Sequence, residues 1–273
     1  MIAALRYEWL RIRTIRSTWW LSGITVFLAV SISFLIALGL SQAFDSQFPP
    51  PAGDRLLLAQ IVVSQGSAYG ELGAPFVLPF VLAVIGVFAW GHEYQHGMIR
   101  ATLTTLSSRP AAWLAKYVVV GTWVALVTLV ALALCAVAGW LWLSDDGIRF
   151  ATYDVWRTIF KSVGYTVVFA WIAMALTALL RNQTAALVLA FVWPLAIENI
   201  IGALFFIVPS LREHQEITRF LPFEAGKAML SGLDVTGSTW GDPLTPWSGF
   251  IVFGAVAGVL MALSFWLFRK RDA

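Results

Sequence analysis

Charge is scarce in this sequence. Only 12% of its 273 residues are Asp, Glu, Lys or Arg, about half the share of an ordinary soluble domain. Eighteen basic and fifteen acidic side chains give little polar skin to a chain of this size, which all but excludes a soluble enzyme. A mean hydropathy of +0.79 and 59% hydrophobic residues exclude a disordered or fibrous chain. Cysteine occurs once, at Cys135 inside an apolar run, so no internal disulfide forms and the redox compartment is not indicated. A phosphate-binding G-x-x-x-x-G-K-[ST] loop is missing as well. Gly226-Lys227 is followed by Ala228 and lacks the preceding glycine spacing, so the chain does not hydrolyse ATP by that route. The net charge of +3 is spread over both ends and the connectors, not gathered in the single patch that nucleic acid requires.

Long apolar runs are abundant. Crossing the hydrocarbon core takes about 20 mostly apolar residues in a helix, and six stretches qualify: 19–40, 72–90, 113–143, 163–180, 185–208 and 247–268. They are continuous, not alternating, so they are helices and not barrel strands. The fold class expected is an all-α integral membrane protein with six transmembrane helices. The third run exceeds the bilayer and is expected to tilt or project. Many of the 14 tryptophans lie at the ends of these runs, where amphipathic rings settle at headgroup level. Basic residues before the first run could mark a signal peptide. That run outlasts a signal core and five more follow, so it reads as an uncleaved span.

Basic residues orient the spans. One side holds Arg6, Arg11, Arg13, Arg16, Arg100, Arg109, Lys116, Arg181, Arg269, Lys270 and Arg271. The other holds Arg55, Arg149, Arg157, Lys161, Arg212, Arg219 and Lys227. Eleven against seven places both termini in the cytoplasm. Residues 1–18 read as a cytoplasmic interfacial helix: Ile2, Leu5, Trp9 and Ile12 form one stripe, with Arg6, Arg11 and Arg13 beside it and Arg16 following. Residues 41–71, with Pro49-Pro50-Pro51 and Gly53, read as an irregular external excursion. In the external segment 209–246, residues 210–230 read as short amphipathic helices at the outer interface.

The connector 91–112 supports two readings. His92-Glu93-Tyr94-Gln95-His96 matches H-E-x-x-H, in which two imidazoles one turn apart bind zinc and the glutamate acts as base. The best third ligand is Glu198 in the fifth span, and the product would be a zinc-dependent membrane protease. Gly97 directly after the second histidine weakens the helix such a site needs. The other reading is mechanical: a short helix joining two spans transmits a push from a partner into the bilayer. Within the fifth span, Glu198 and Asn199 are intramembrane polar residues, hence candidates to line a substrate path or to bridge helices.

The run Glu93-Tyr94-x-His96-Gly97-x-Ile99-Arg100-x-Thr102-Leu103, followed by Arg109 and Ala115-Lys116, resembles the coupling segment of type-2 ABC exporter permeases. The opening Glu8-Trp9 … Arg13-Thr14-x-Arg16-Ser17-Thr18-Trp19-Trp20 is similar to the start of many actinobacterial members, and Leu221-Pro222-Phe223 with Ala225 also resembles the family. The resemblance implies a permease subunit in a bacterial plasma membrane, paired with a second copy of itself. ATP and Mg would belong to a separate ABC ATPase subunit, and this chain would carry no cofactor. It further implies that Glu93, Tyr94, His96, Gly97, Ile99 and Arg100 form the coupling helix, and that the helix bearing Trp9, Arg11, Arg13 and Arg16 is the family's interfacial element. The small-molecule or peptide substrate is expected to be hydrophobic or amphipathic, such as a drug, an antibiotic or a lipid, and nucleic acid is not a partner.

Overall fold

The computed structural model describes residues 1–43, 51, 54–65, 77–97, 109–230 and 244–270, and among these there are helices and no strands. The chain opens with α1 (Ile2–Thr14) and α2 (Arg16–Ala43), followed by a short α3 (Arg55–Ser64) and then α4 (Val77–Gln95). Next come α5 (Arg109–Leu143) and α6 (Tyr153–Leu180). The following stretch, Gln183–Ile207, is α7 (Gln183–Val192), a π turn (Trp193–Ile197) and α8 (Glu198–Ile207) in succession. A single turn α9 (Pro209–Arg212), a 3-10 segment (Gln215–Phe220), α10 (Pro222–Leu230) and α11 (Pro246–Lys270) complete it.

Five of these stretches are long and apolar enough to cross a membrane: α2, α5, α6, Gln183–Ile207 and α11. They coincide with five of the six expected spans. The remaining one, 72–90, begins outside the described residues, and α4 carries its second part. At 35 residues, α5 extends about 52 Å, well beyond the hydrocarbon thickness, as its apolar length suggested.

The centre of the bundle is α6, with α4, α5, α7 and α11 around it. Its inner residues are small where neighbours come close. Ala170, Ala173, Ala175 and Met174 are fully buried, and a Cβ on Gly86 of α4 would lie 2.8 Å from the Ala170 carbonyl oxygen. In lipid, where apolar association gives helices no net drive, such close backbone packing is what holds them together. The outward faces of α2, α8 and α11 stay apolar and exposed, as Phe27, Ile207 and Trp266 illustrate.

Two expectations about the connectors need correction. The segment 41–71 is not irregular throughout. The apolar run after Arg55 forms α3, whose Ala59, Val62 and Val63 are wholly buried against α2, α5 and α6. The Ser33 hydroxyl of α2 donates 2.8 Å to the Val62 carbonyl oxygen, which also accepts the Gln65 backbone N–H at 3.4 Å. Likewise the helices in 210–230 do not simply lie on a surface. Ile217 and Phe220 are exposed, but α10 buries Phe223, Ala225, Gly226, Ala228, Met229 and Leu230 against α6 and α11. Proline, glycine and charge pointed to a polar excursion in both cases, whereas the apolar residues between them had tertiary partners.

Candidate functional site

Of the residues expected from sequence, Trp9, Arg11 and Glu93 gather at the end of the bundle where α1 lies, with Lys116 among them. Here α1 is an amphipathic helix, yet its buried face is Ala4, Glu8 and Ile12. The expected stripe of Ile2, Leu5, Trp9 and Ile12 is thus offset: Ile2 is 83% exposed, Leu5 and Trp9 are half-buried, and Glu8 points inward at 4% exposure. The helix ends at Ile15, whose backbone is extended. Arg16 is consequently the first residue of the spanning helix α2 and not part of the interfacial one. Arg13 stays on α1, exposed, with its carbonyl accepting the Trp19 indole N–H at 2.8 Å.

Glu8 is inside because cations meet it there. Lys116 of α5 donates through Nζ to Glu8 Oε1 at 2.8 Å and to Glu93 Oε1 at 2.7 Å. Arg11 donates to Glu8 Oε2 at 3.2 Å, to Glu93 Oε1 at 2.5 Å and to the Ala89 carbonyl oxygen at 3.1 Å. The Lys116 ammonium also sits 4.8 Å from the centre of the Trp90 ring, an added cation–π contact. Two carboxylates and two cations cancel, which is the condition for keeping charges out of water. Glu8, Glu93 and Lys116 are each at least 95% shielded. Three helices distant in sequence (α1, the end of α4, the start of α5) are thereby tied at one point. In the sequence Lys116 counts as a basic residue of the cytoplasmic side and as the end of the run that resembles a coupling segment, and Glu8 opens the resembling N-terminal run; neither role implies burial. The available signal was that acids and bases recur in three segments assigned to the same side of the spans.

Past Glu93, the connector leaves the bundle. Gln95, His96 and Gly97 are exposed, and Gly97 ends the helix with a φ of +63°, a conformation that glycine adopts without Cβ strain. Tyr94 is half-buried, stacked on Trp90 at 6.0 Å and covered by the Arg181 guanidinium at 5.7 Å. Arg181 occupies the turn between α6 and α7, so the exit of α4 also touches that turn. Ile99 and Arg100 lie outside the described residues.

The metal constellation does not assemble among the described residues. His92 stacks on Phe88 at 4.7 Å, and its ring centre is 6.2 Å from that of His96. No group of three His, Cys, Asp or Glu side chains is placed to hold an ion. Glu93 is occupied by Lys116 and Arg11. The third ligand expected, Glu198, is far off: Gln183 packs beside Gly91, and Glu198 lies fifteen residues further along, about 22 Å of helix.

Of the two roles expected for Glu198 and Asn199, lining a path or bridging helices, the contacts of Glu198 are those of a bridge. Glu198 is 1% exposed, and its carboxylate accepts the backbone N–H of Phe223 at 3.0 and 3.1 Å and of Glu224 at 2.9 Å. Asn199 is exposed and donates its amide to the carbonyl oxygens of Pro194 and Leu195 at 3.2 and 3.1 Å. Proline lacks the N–H that would continue the helix, and the π turn follows from it; Asn199 takes up carbonyls in that turn.

A family described as ABC-2 family transporter protein matches residues 4–196, a stretch that contains all but the first two residues of α1, the connector and all four members of the buried charge cluster. The chain belongs to the ABC-2 transporter family. It is a multi-pass membrane protein of the permease type, and permeases of this family depend on a separate ATPase. The matched region stops inside the π turn, so Glu198, α10 and α11 lie beyond it. No curated protein matches the chain.

Proposed function

We propose that this ABC-2 permease forms the transmembrane path of an ATP-driven exporter, working as a homodimer with two copies of an ABC ATPase. Both termini face the cytoplasm, in keeping with the eleven-to-seven bias of basic residues. Residues Glu93, Tyr94, His96, Gly97, Ile99 and Arg100 form the coupling helix and dock in a cleft of the ATPase. The plasma membrane of a bacterium is the expected location. The substrate is hydrophobic or amphipathic, a drug, antibiotic, peptide or lipid, in keeping with spans rich in Phe and Trp and poor in charge.

The observation that carries this reading is the charge cluster Glu8–Arg11–Glu93–Lys116. A push on exposed Gln95–Gly97 meets Glu93 within one helical turn. From there it passes by direct ion pairs to α1 and α5, so the interfacial helix and a spanning helix move with the connector. Surface ion pairs would yield to such a push; a shielded network resists it.

The test is purification of the full chain with its cognate ATPase in lipid vesicles. The expected result is that the ATPase co-purifies and that Glu93→Gln lowers its ATP hydrolysis while the complex stays assembled. A chain that retains no phosphate-loop ATPase, or an unchanged hydrolysis rate in an assembled Glu93→Gln complex, would contradict the reading.

A further inference from the structure

We propose that Glu198 is a releasable latch. It pins the far half of the fifth span, α8, to α10, and when it lets go α8 swings away about the π turn while α10 stays seated on α6 and α11.

The latch is built from one carboxylate and the N-terminus of a nine-residue helix. Glu198 accepts three hydrogen bonds from two consecutive backbone amides of α10, and an anion at that end is further favoured by the helix dipole. In a setting without water to replace them, charge-assisted bonds of this kind are the strong ones. They are also all-or-none, since both amides depend on the same side chain.

The attachments of α10 are unequal. Toward α11 and α6 it is seated by close packing. A Cβ on Gly249 would lie 2.4 Å from the Ala225 carbonyl oxygen, one on Gly226 would lie 2.7 Å from the Tyr165 ring, and one on Gly164 would lie 3.0 Å from the Met229 methyl. Toward the fifth span it has Glu198 and an edge contact of Phe223 with Trp193 at 5.9 Å. Only Glu198 and Gly202 are buried along α8. The span is moreover interrupted just before Glu198 by Pro194 and the π turn, where a helix most readily bends. A weakly packed half-helix, a hinge at its base and one polar pin beyond the hinge together make a joint that can part at the pin.

This deepens the permease reading by naming the segment that opens, and it is tested without any ATPase, so its failure would leave the coupling proposal standing. On a Cys135→Ala background in detergent, Phe223→Cys, at a position 1% exposed and in edge contact with Trp193, reports on the pinned contact, and Met229→Cys, packed beside Gly164 of α6, reports on the seat of α10. Adding Glu198→Gln removes the charge and one acceptor. Maleimide labelling of Phe223→Cys is expected to accelerate at least tenfold, with Met229→Cys still protected. Unchanged labelling at Phe223→Cys overturns the proposal. Acceleration at both positions overturns it too, because Glu198 would then hold the whole fold. The unsubstituted chain gives a second reading by hydrogen exchange: residues 199–207 should exchange ahead of residues 225–230. Exchange of the two segments together would refute a separable α8.

Discussion

Replacing Lys116 by Met probes the charge cluster most sharply. The side chains are similar in length, so packing against Trp90 is largely kept while the ammonium is lost. Lys116 is 1% exposed and serves Glu8 and Glu93 at 2.8 and 2.7 Å. Without it, both carboxylates remain inside with Arg11 as their shared cation, and the cluster changes from neutral to one net negative charge. Breaking a buried pair by removing one partner costs about 3–5 kcal/mol. For a chain of this size that corresponds to a fall in Tm on the order of 10 °C. The assay is thermal unfolding of the detergent-solubilised protein followed by loss of the monodisperse peak on size exclusion. A second variant, Glu8→Gln with Lys116→Met, restores neutrality, because Glu93 then balances Arg11. It is expected to melt above the single Lys116→Met variant despite carrying two changes, a coupling that independent sites do not show. A Tm within about 2 °C of the parent for Lys116→Met, or additive losses in the double variant, would refute the argument that charge balance holds α1, α4 and α5 together.

Other consequences can be checked alongside it. Arg11→Lys keeps the charge but loses the planar fork that reaches Glu8, Glu93 and the Ala89 carbonyl at once; a loss of about 1–2 kcal/mol is expected in the same melting assay. Gly139→Ala places a methyl 2.5 Å from the Phe150 ring and 2.8 Å from Val62. Overpacking there is expected to cost about 1–3 kcal/mol and to loosen α3 first, seen as faster hydrogen exchange over residues 55–64. Ser33→Ala removes the shorter of two hydrogen bonds at the Val62 carbonyl oxygen and should lower stability by about 1 kcal/mol. The thiol of Cys135 is buried, so maleimide labelling of the native protein is expected only after denaturation.

Apolar length is a strong signal, and it placed five helices well because each had to satisfy its own backbone in lipid. It was weaker where polar and apolar residues alternate. In α1 the offset of the buried face by one position came from Glu8, an acid that any hydropathy scale assigns to the surface. What reversed that assignment was Arg11 meeting Glu93 82 positions away and Lys116 meeting Glu8 108 positions away. Pairings at such separations leave no periodic trace. The same holds for Glu198, an acid that stands out in the sequence within an apolar run. Its partners are backbone amides, and backbone amides carry no residue signature at all. The coupling segment is an intermediate case. Glu93 and Gly97 were legible as a motif, but a motif does not distinguish a residue that faces a partner from one that faces inward. The structure separates them: Glu93 faces inward, while His96 and Gly97 face out.

The central claim is that the connector after α4 is where an ATPase subunit pushes. Site-specific photo-crosslinking tests it most directly. A benzophenone side chain introduced at exposed His96, in the intact complex with the cognate ATPase, is expected to give a covalent permease–ATPase adduct. The same probe at Phe27, exposed further along α2, should give none. Absence of an adduct from His96 in a complex that demonstrably contains the ATPase, or equal adducts from both positions, would contradict the account.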